Sequence, residues 1–480
     1  VARPGTEVVI RETPPVRSAP TDTGVWFVVG LAEKGPVDAA YKIDSLADFE
    51  RIFGARVSYS FLYDSLETYF HEGGGSAYVV RIVGPAAVTA FKVLNDAGAA
   101  ATLRVESKGP GPYGNNLRIA VLAGDAGGEF KLQVSHATLG ILETSPSLAD
   151  KTAAFAWAQN SSYIKLVDQA SSNDPAVIAA QALAGGADDQ AGITDATWET
   201  ALGKMSRDLG PGQVSYPGRT TDQAHVDLLE HAAAYNRVAI LDPPDTATKA
   251  TLLTSVSGAR TVNARYGAMF GPWIIIPGIT AGTTRTVPPS ALVAGLIGKQ
   301  DSLGSANVPA AGVNGQAAFA IDLTQAAFLD ADREELNGAG FNVIREMFGG
   351  VRVYGWRSLA NPVTEVSWKF FNNVRMIMQI AAEAEAIAEN FLFQEIDGQG
   401  RTIARFNGAL VGLLTPFWTE GSLFGLTAGE SFDVNTSSAV NTPETIANGE
   451  LRAIIGVRLS PFGELVHIEI VKVPITEEVV

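Results

Sequence analysis

A chain of 480 residues, 46% hydrophobic and 18% charged, exceeds one small core, and about two to four folded domains are expected. Its 35 Lys+Arg against 51 Asp+Glu leave a net charge of −16, which argues against a broad phosphate-binding surface and so against nucleic acid as a partner. Cysteine is absent, which excludes disulfide frameworks, thiolate zinc sites and cysteine nucleophiles, and the apolar runs at 24–32 and 270–279 are too short to span a bilayer.

The opening VARPGTEVVIRETPP alternates over Glu7 to Arg11 and is closed by Pro14 and Pro15, which predicts an extended strand with no local partner. No basic stretch leads into an apolar one, so no secretory signal is expected. VWFVVGLA at Val25 to Ala32 suits a buried strand, and Ser45 with Asp48 has capping-box spacing for a helix stopped by Gly54. A second helix through Leu62, Leu66 and Phe70 ends at Gly73 to Gly75, and AYVVRIVG at Ala77 to Gly84 reads as the next strand of a parallel crossover.

From Ala87 the pattern becomes FKVLN, TLRVES, NLRIAVLAG and FKLQVSH, short alternating segments of a β-rich domain with one helix beginning near Ser147 and an exit linker at Leu183 to Gly192. Helices near Thr194 to Met205, over Asp222 to Tyr235 and from Pro289 then alternate with strands at Arg237 to Pro244, Pro272 to Gly278 and Val351 to Leu359. The order βα, all-β, βα implies that the β-rich domain is inserted into the α/β one. Two long helices, Asn373 to Asn390 and Arg401 to Trp418, precede three strands, the last of them VHIEIVKV.

The fold class expected is α+β and multidomain: an N-terminal extended arm at 1–19, an α/β middle domain at 20–86 and 190–358, an inserted β-rich domain at 87–189, and a C-terminal α+β inner domain at 359–480 ending in a strand arm. Both ends therefore read as unpaired strands, open to another chain.

Catalytic motifs fail on mechanism. GPGPYG at Gly109 to Gly114 matches the dinucleotide fingerprint in letters, but prolines fill two variable positions and NNLRIAV continues as a strand, so a hairpin turn is expected. His225 and His231 share one helix at a spacing that sets them about 240° apart, which forbids joint chelation. GSLFG at Gly421 to Gly425 has its serine in the wrong place for a nucleophile elbow. No enzyme activity, metal or cofactor is expected.

The chain resembles the tail sheath protein of contractile phage tails and related contractile injection systems. The resemblance runs through PGTEVVIRE, VGLAEKGPVD and FHEGGGSAYVVRIVG, then GPGPYGNNLRI, RVAILDPP, PWIIIPG with VPPSALVAG, LNGAGFNVIRE, VYGWRSL, NNVRMIMQI and NTPETIANGELRAIIGVRLSPFGELVHIEI, in family order. TEVSWKFFNN departs from it, being longer than the family's usual link. The resemblance implies hexameric rings stacked helically around an inner tail tube, assembled in the host cytoplasm into a virion tail, with baseplate and tail terminator as further partners.

It also implies that Val8, Val9, Ile10, Ile468, Ile470, Val471 and Val473 add strands to neighbouring subunits, and Arg375, Arg401 and Arg405 are the candidate tube contact. A bacteriocin or extracellular injection-system sheath, a non-contractile shell and a dinucleotide enzyme are the alternatives.

Overall fold

The apolar run from Val25 becomes β1 (Trp26–Gly30), with all five residues buried, in the computed structural model, which describes residues 22–304, 306–325 and 328–465. A short edge strand, β2 (Tyr41–Ile43), follows without any strong sequence signal. α1 (Leu46–Phe53) starts where expected, since Ser45 Oγ accepts the Asp48 amide, and Gly54 at φ 88° stops it. α2 (Leu62–His71) and β3 (Ala77–Arg81) complete the crossover, with β3 parallel to β1.

The chain then leaves this sheet. β4 (Phe91–Asn95), β5 (Ala101–Ser107), β6 (Leu117–Ala123), β7 (Phe130–His136), β8 (Gly140–Thr144), α3 (Lys151–Gln159), β9 (Ile164–Asp168) and β10 (Ile178–Ala182) build two antiparallel sheets, ordered β4-β5-β9 and β10-β6-β7-β8. Leu94, Leu103, Val105, Ile119, Leu132 and Val134 belong to the one core they share. GPGPYG is not a hairpin turn: β5 and β6 lie in different sheets, and a 3-10 turn at Pro112–Asn116 carries the chain from one to the other. The helix begins at Lys151, capped by Asp150, because the Ser147 hydroxyl is already taken by the Asp125 amide and the Glu129 carboxylate.

α4 (Asp195–Leu202) leads back to β11 (Gln213–Ser215), which pairs with β1 on the side away from β3. α5 (Asp222–Ala234), β12 (Val238–Leu241), α6 (Lys249–Gly258), β13 (Gly267–Gly271), β14 (Ile274–Pro277), β15 (Thr284–Val287), α7 (Pro289–Leu303), β16 (Asp322–Leu323), α8 (Asp330–Gly338), β17 (Phe341–Met347) and β18 (Gly350–Val353) follow. The large sheet runs β18-β17-β13-β12-β11-β1-β3-β2, parallel within and antiparallel at both edges. β14 leaves it to pair with β15 and β16.

Alternation along β1 serves two layers. Phe27 and Val29 join a core with Trp198, Leu228, Leu252 and Leu336, while Trp26 on the other face meets the Tyr69 ring of α2 at 5.1 Å. α7 is buried from Pro289 to Gly298, as its all-round apolar sequence requires, and Gly295 lets α2 approach: a Cβ there would sit 2.7 Å from the Tyr69 carbonyl oxygen.

α9 (Phe371–Glu389) comes next, and the chain divides into two compact units, Val1–Ala386 and Ile387–Val480. Most of α9 thus belongs to the first unit, later than the 358/359 boundary expected, because Phe371 packs on Trp356 at 5.6 Å and Phe270 at 6.3 Å. The second unit holds α10 (Arg401–Thr419), α11 (Ala428–Ser431), β19 (Phe432–Asn435), α12 (Pro443–Ala447) and β20 (Ile454–Val457). α10 turns Thr402, Phe406, Leu410, Leu414 and Phe417 inward, and β19 pairs antiparallel with β20. No helix among the described residues is long and apolar enough to cross a membrane. Val8 to Ile10 and Ile468 to Val473, expected as arm strands, lie outside the described residues.

Candidate assembly surfaces

A doubly wound sheet takes ligands beyond the carboxyl ends of its strands where the strand order reverses, here at β1 and β11. That place is filled. Beyond β1 the chain runs to β2 with no intervening helix whose N-terminus could hold a phosphate. Beyond β11, a Cβ on Gly218 would lie 2.5 Å from the Phe61 ring, which itself meets Trp273 edge-on at 5.2 Å.

Asp242 lies beneath, fully buried, and burial pushes its carboxyl up to about 6 despite three donors: the Gly218 amide at 3.0 Å and the Ser290 amide and hydroxyl at 2.8 Å each. His225 Nε2 is 3.0 Å from the Asp242 carbonyl oxygen, and the Asp242 carboxylate, by accepting the Ser290 amide, caps the first turn of α7. His231 Nε2 accepts from Arg237 Nη1 at 2.7 Å, and the two histidines make no shared site. Among the described residues no group of three or more His, Cys, Asp or Glu is placed to hold a metal.

Arg375 is fully buried, with Nη2 2.5 Å from Asp301 Oδ2, and the same carboxylate oxygen accepts the Thr23 hydroxyl at 2.6 Å. A guanidinium sealed against an internal carboxylate offers no surface, so Arg375 is corrected from candidate tube contact to internal partner. The signal was available: Arg375 sits in VRMIM, an apolar stretch whose neighbours Val374, Met376 and Met378 are also buried. What the sequence reading missed is that Thr23, where the N-terminal segment enters the body, is tied by Asp301 to α7 and α9 and by its carbonyl to Gln213 Nε2 at 2.6 Å.

In the second unit Arg401 and Arg405 do lie on the outward face of α10, beside exposed Ala404, Gly408, Val411 and Gly412. Arg405 Nη2 reaches Gln394 Oε1 at 3.0 Å, while Asp397 accepts the Thr402 amide at 2.9 Å, so the helix start is firmly set. Leu392, Phe393, Phe424, Leu426 and Ile454 are also exposed.

Among the described residues the unit's sheet has two strands, fewer than a stable sheet needs. Its two outer edges differ. Asn407 Nδ2 covers the Val434 carbonyl of β19 at 2.9 Å. On β20, the Arg458 amide donates inward to the Ser431 carbonyl at 2.8 Å, so the antiparallel alternation turns the amides of Ile455 and Val457 away from β19. β20 thus presents an open edge among the described residues.

Residues 214–359 match the family model of the phage tail sheath protein central domain. The curated proteins give no match. The sheath tail protein of Listeria innocua superposes with a TM-score of 0.64 at 14% identity, over 88% of this chain and 90% of that one. The PVC sheath complex of an extracellular contractile injection system in its contracted state gives 0.58 at 15% identity over 98% of each chain. A chain of the six-fold symmetrised anti-feeding prophage baseplate gives 0.57 at 16% identity, over 98% of this chain and 99% of that one. Residues 214–359 thus match the phage tail sheath central domain, and the chain shares the fold of the solved sheath tail proteins.

Proposed function

We propose that the chain is the structural subunit of a contractile tail sheath, polymerised as stacked hexameric rings around an inner tube and shortening to drive that tube through a target envelope. The open edge of the β19–β20 pair carries this reading: a two-stranded sheet on an apolar surface gains stability from strands that other copies supply. Val8 to Ile10 and Ile468 to Val473 are the alternating segments available to supply them. Each added backbone hydrogen bond is worth about 1 kcal/mol net, so a four-residue strand contributes a few kcal/mol per contact.

A head-to-tail contact that does not close within a plane generates a filament. The sheath would be built in an extended state that is kinetically trapped and would release free energy on shortening, with no nucleotide consumed. Asp301 and Arg375 support this role, since tension on the N-terminal segment would reach the body at Thr23, which they hold. Arg401 and Arg405 are the remaining candidates for the tube contact.

A phage tail is the preferred setting. An extracellular injection-system sheath is the second reading, favoured by the 98% coverage of both chains in the PVC comparison. Electron microscopy of the purified protein is the test. Helically ridged hollow cylinders are expected, lost on deletion of residues 1–15 or 470–480; cylinders that survive both deletions defeat strand exchange, and closed shells or flat sheets defeat the sheath.

A further inference from the structure

Arg81, the last residue of β3, is 1% exposed and among the described residues has no carboxylate in hydrogen-bond contact. Its guanidinium spends its donors on three carbonyls: Ala32 at 3.1 Å and Gly35 at 2.8 Å, both in the loop after β1, and Pro110 at 2.8 Å, in the segment that joins the two inserted sheets. Gly109 and Gly111 flank that proline for steric reasons. A Cβ on Gly109 would lie 2.1 Å from the Gly35 carbonyl oxygen, and Gly111 takes φ 124° with its Cβ position 2.9 Å from Arg81 Nη2. The GPGPYG run is shaped to be gripped.

A second grip lies beside the first. The Lys34 ammonium stands 5.1 Å from the Tyr113 ring centroid and 5.2 Å from that of Tyr163, two rings of the inserted region on one cation of the large-sheet region. Between them lies a cleft of about 240 Å³ lined by Lys34, Gly35, Lys108, Tyr113 and Tyr163. The two connecting segments are zipped as well: Val88 and Ala187 exchange backbone hydrogen bonds, Gly84 donates to the Asp188 carbonyl, and the Asn115 amide bonds Gly186 in both directions at 2.9 and 2.8 Å.

We infer that Arg81 is a positioning residue and GPGPYGN its counterpart, together forming a latch that fixes the inserted sheets in one orientation on the large sheet. Two crossing segments alone form a hinge with a free axis; the off-axis hold at Pro110 and Lys34 removes that freedom. This stands whether or not the chain forms a sheath, because it concerns one subunit.

Since the chain has no cysteine, Leu139→Cys in the inserted region, 67% exposed, and Val262→Cys in the large-sheet region, 85% exposed, give one spin-label pair for pulsed electron resonance. The parent should show a single narrow distance distribution. Arg81→Met should widen it by severalfold, and Asn115→Ala, an exposed site chosen in case the first variant fails to fold, should widen it less, each with unchanged circular dichroism. An unchanged distribution in every folded variant overturns the latch.

Discussion

Asp301 and Arg375 form an ion pair with both side chains nearly or wholly out of water, 6% and 0% exposed, and Thr23 completes it from the start of the described chain. Removing only the cation leaves a buried carboxylate with one hydroxyl for company. Arg375→Met should therefore cost about 3–5 kcal/mol, whereas Asp301→Leu combined with Arg375→Met should recover much of that loss. Urea denaturation of the two single variants and the pair checks this; additive losses would defeat it.

Acid should weaken the first unit through its buried histidines. His231 is held down to about 3, first by burial and then by the neighbouring Arg237, and burial also lowers His225. An unfolded histidine binds its proton near pH 6.5 while the folded one does not, so stability is full above about 6.5 and is lost as pH falls toward 3, at up to about 1.4 kcal/mol per unit per group. Asp242 opposes this: its raised carboxyl favours the fold below about 6 and gives that gain up as pH rises through it. Urea midpoints between pH 4.5 and 7.5 should fall on acidification, and His231→Gln should flatten the slope.

The parallel sheet was legible where a strand buried on both faces must be unbrokenly apolar, as in VWFVV and VAIL. β11 was not, since it is Gln213, Val214 and Ser215, buried yet mostly polar. Gln213 Nε2 satisfies the Thr23 carbonyl and Ser215 Oγ accepts the Trp26 indole at 2.9 Å, bonds between residues far apart in the chain that no local pattern displays. Gly109 to Gly114 misled for the same reason: a turn between sheets and a turn within one have similar local chemistry, and only distant pairing separates them. Arg401 and Arg405 were legible as helix surface because α10 alternates at helical spacing, whereas Arg375 needed its apolar neighbours weighed against its charge.

Arg401 and Arg405 should matter to binding far more than to folding. Both are exposed, so Arg401→Glu with Arg405→Glu should change stability by no more than about 0.5–1 kcal/mol. Co-sedimentation with the cognate tube protein should lose most of the bound fraction at about 0.05 M salt, while the parent loses it only as salt rises toward about 0.5 M. Equal binding by variant and parent at low salt would remove these residues from the tube contact.

Proline separates the two edges of β20. At Ile455 the amide faces away from β19, so Ile455→Pro keeps the pairing with Val434 while deleting a donor from the open edge. At Gly456 the amide faces β19, so Gly456→Pro breaks the pair itself. The first variant should melt close to the parent as a monomer and form few or short cylinders in micrographs; the second should lose the fold of the second unit. If Ile455→Pro assembles at the parent's concentration and length, β20 is not the edge that accepts a neighbour's strand, and the linkage must run through another surface of the unit, of which the outward face of α10 with Val411 and Gly412 is the next to test.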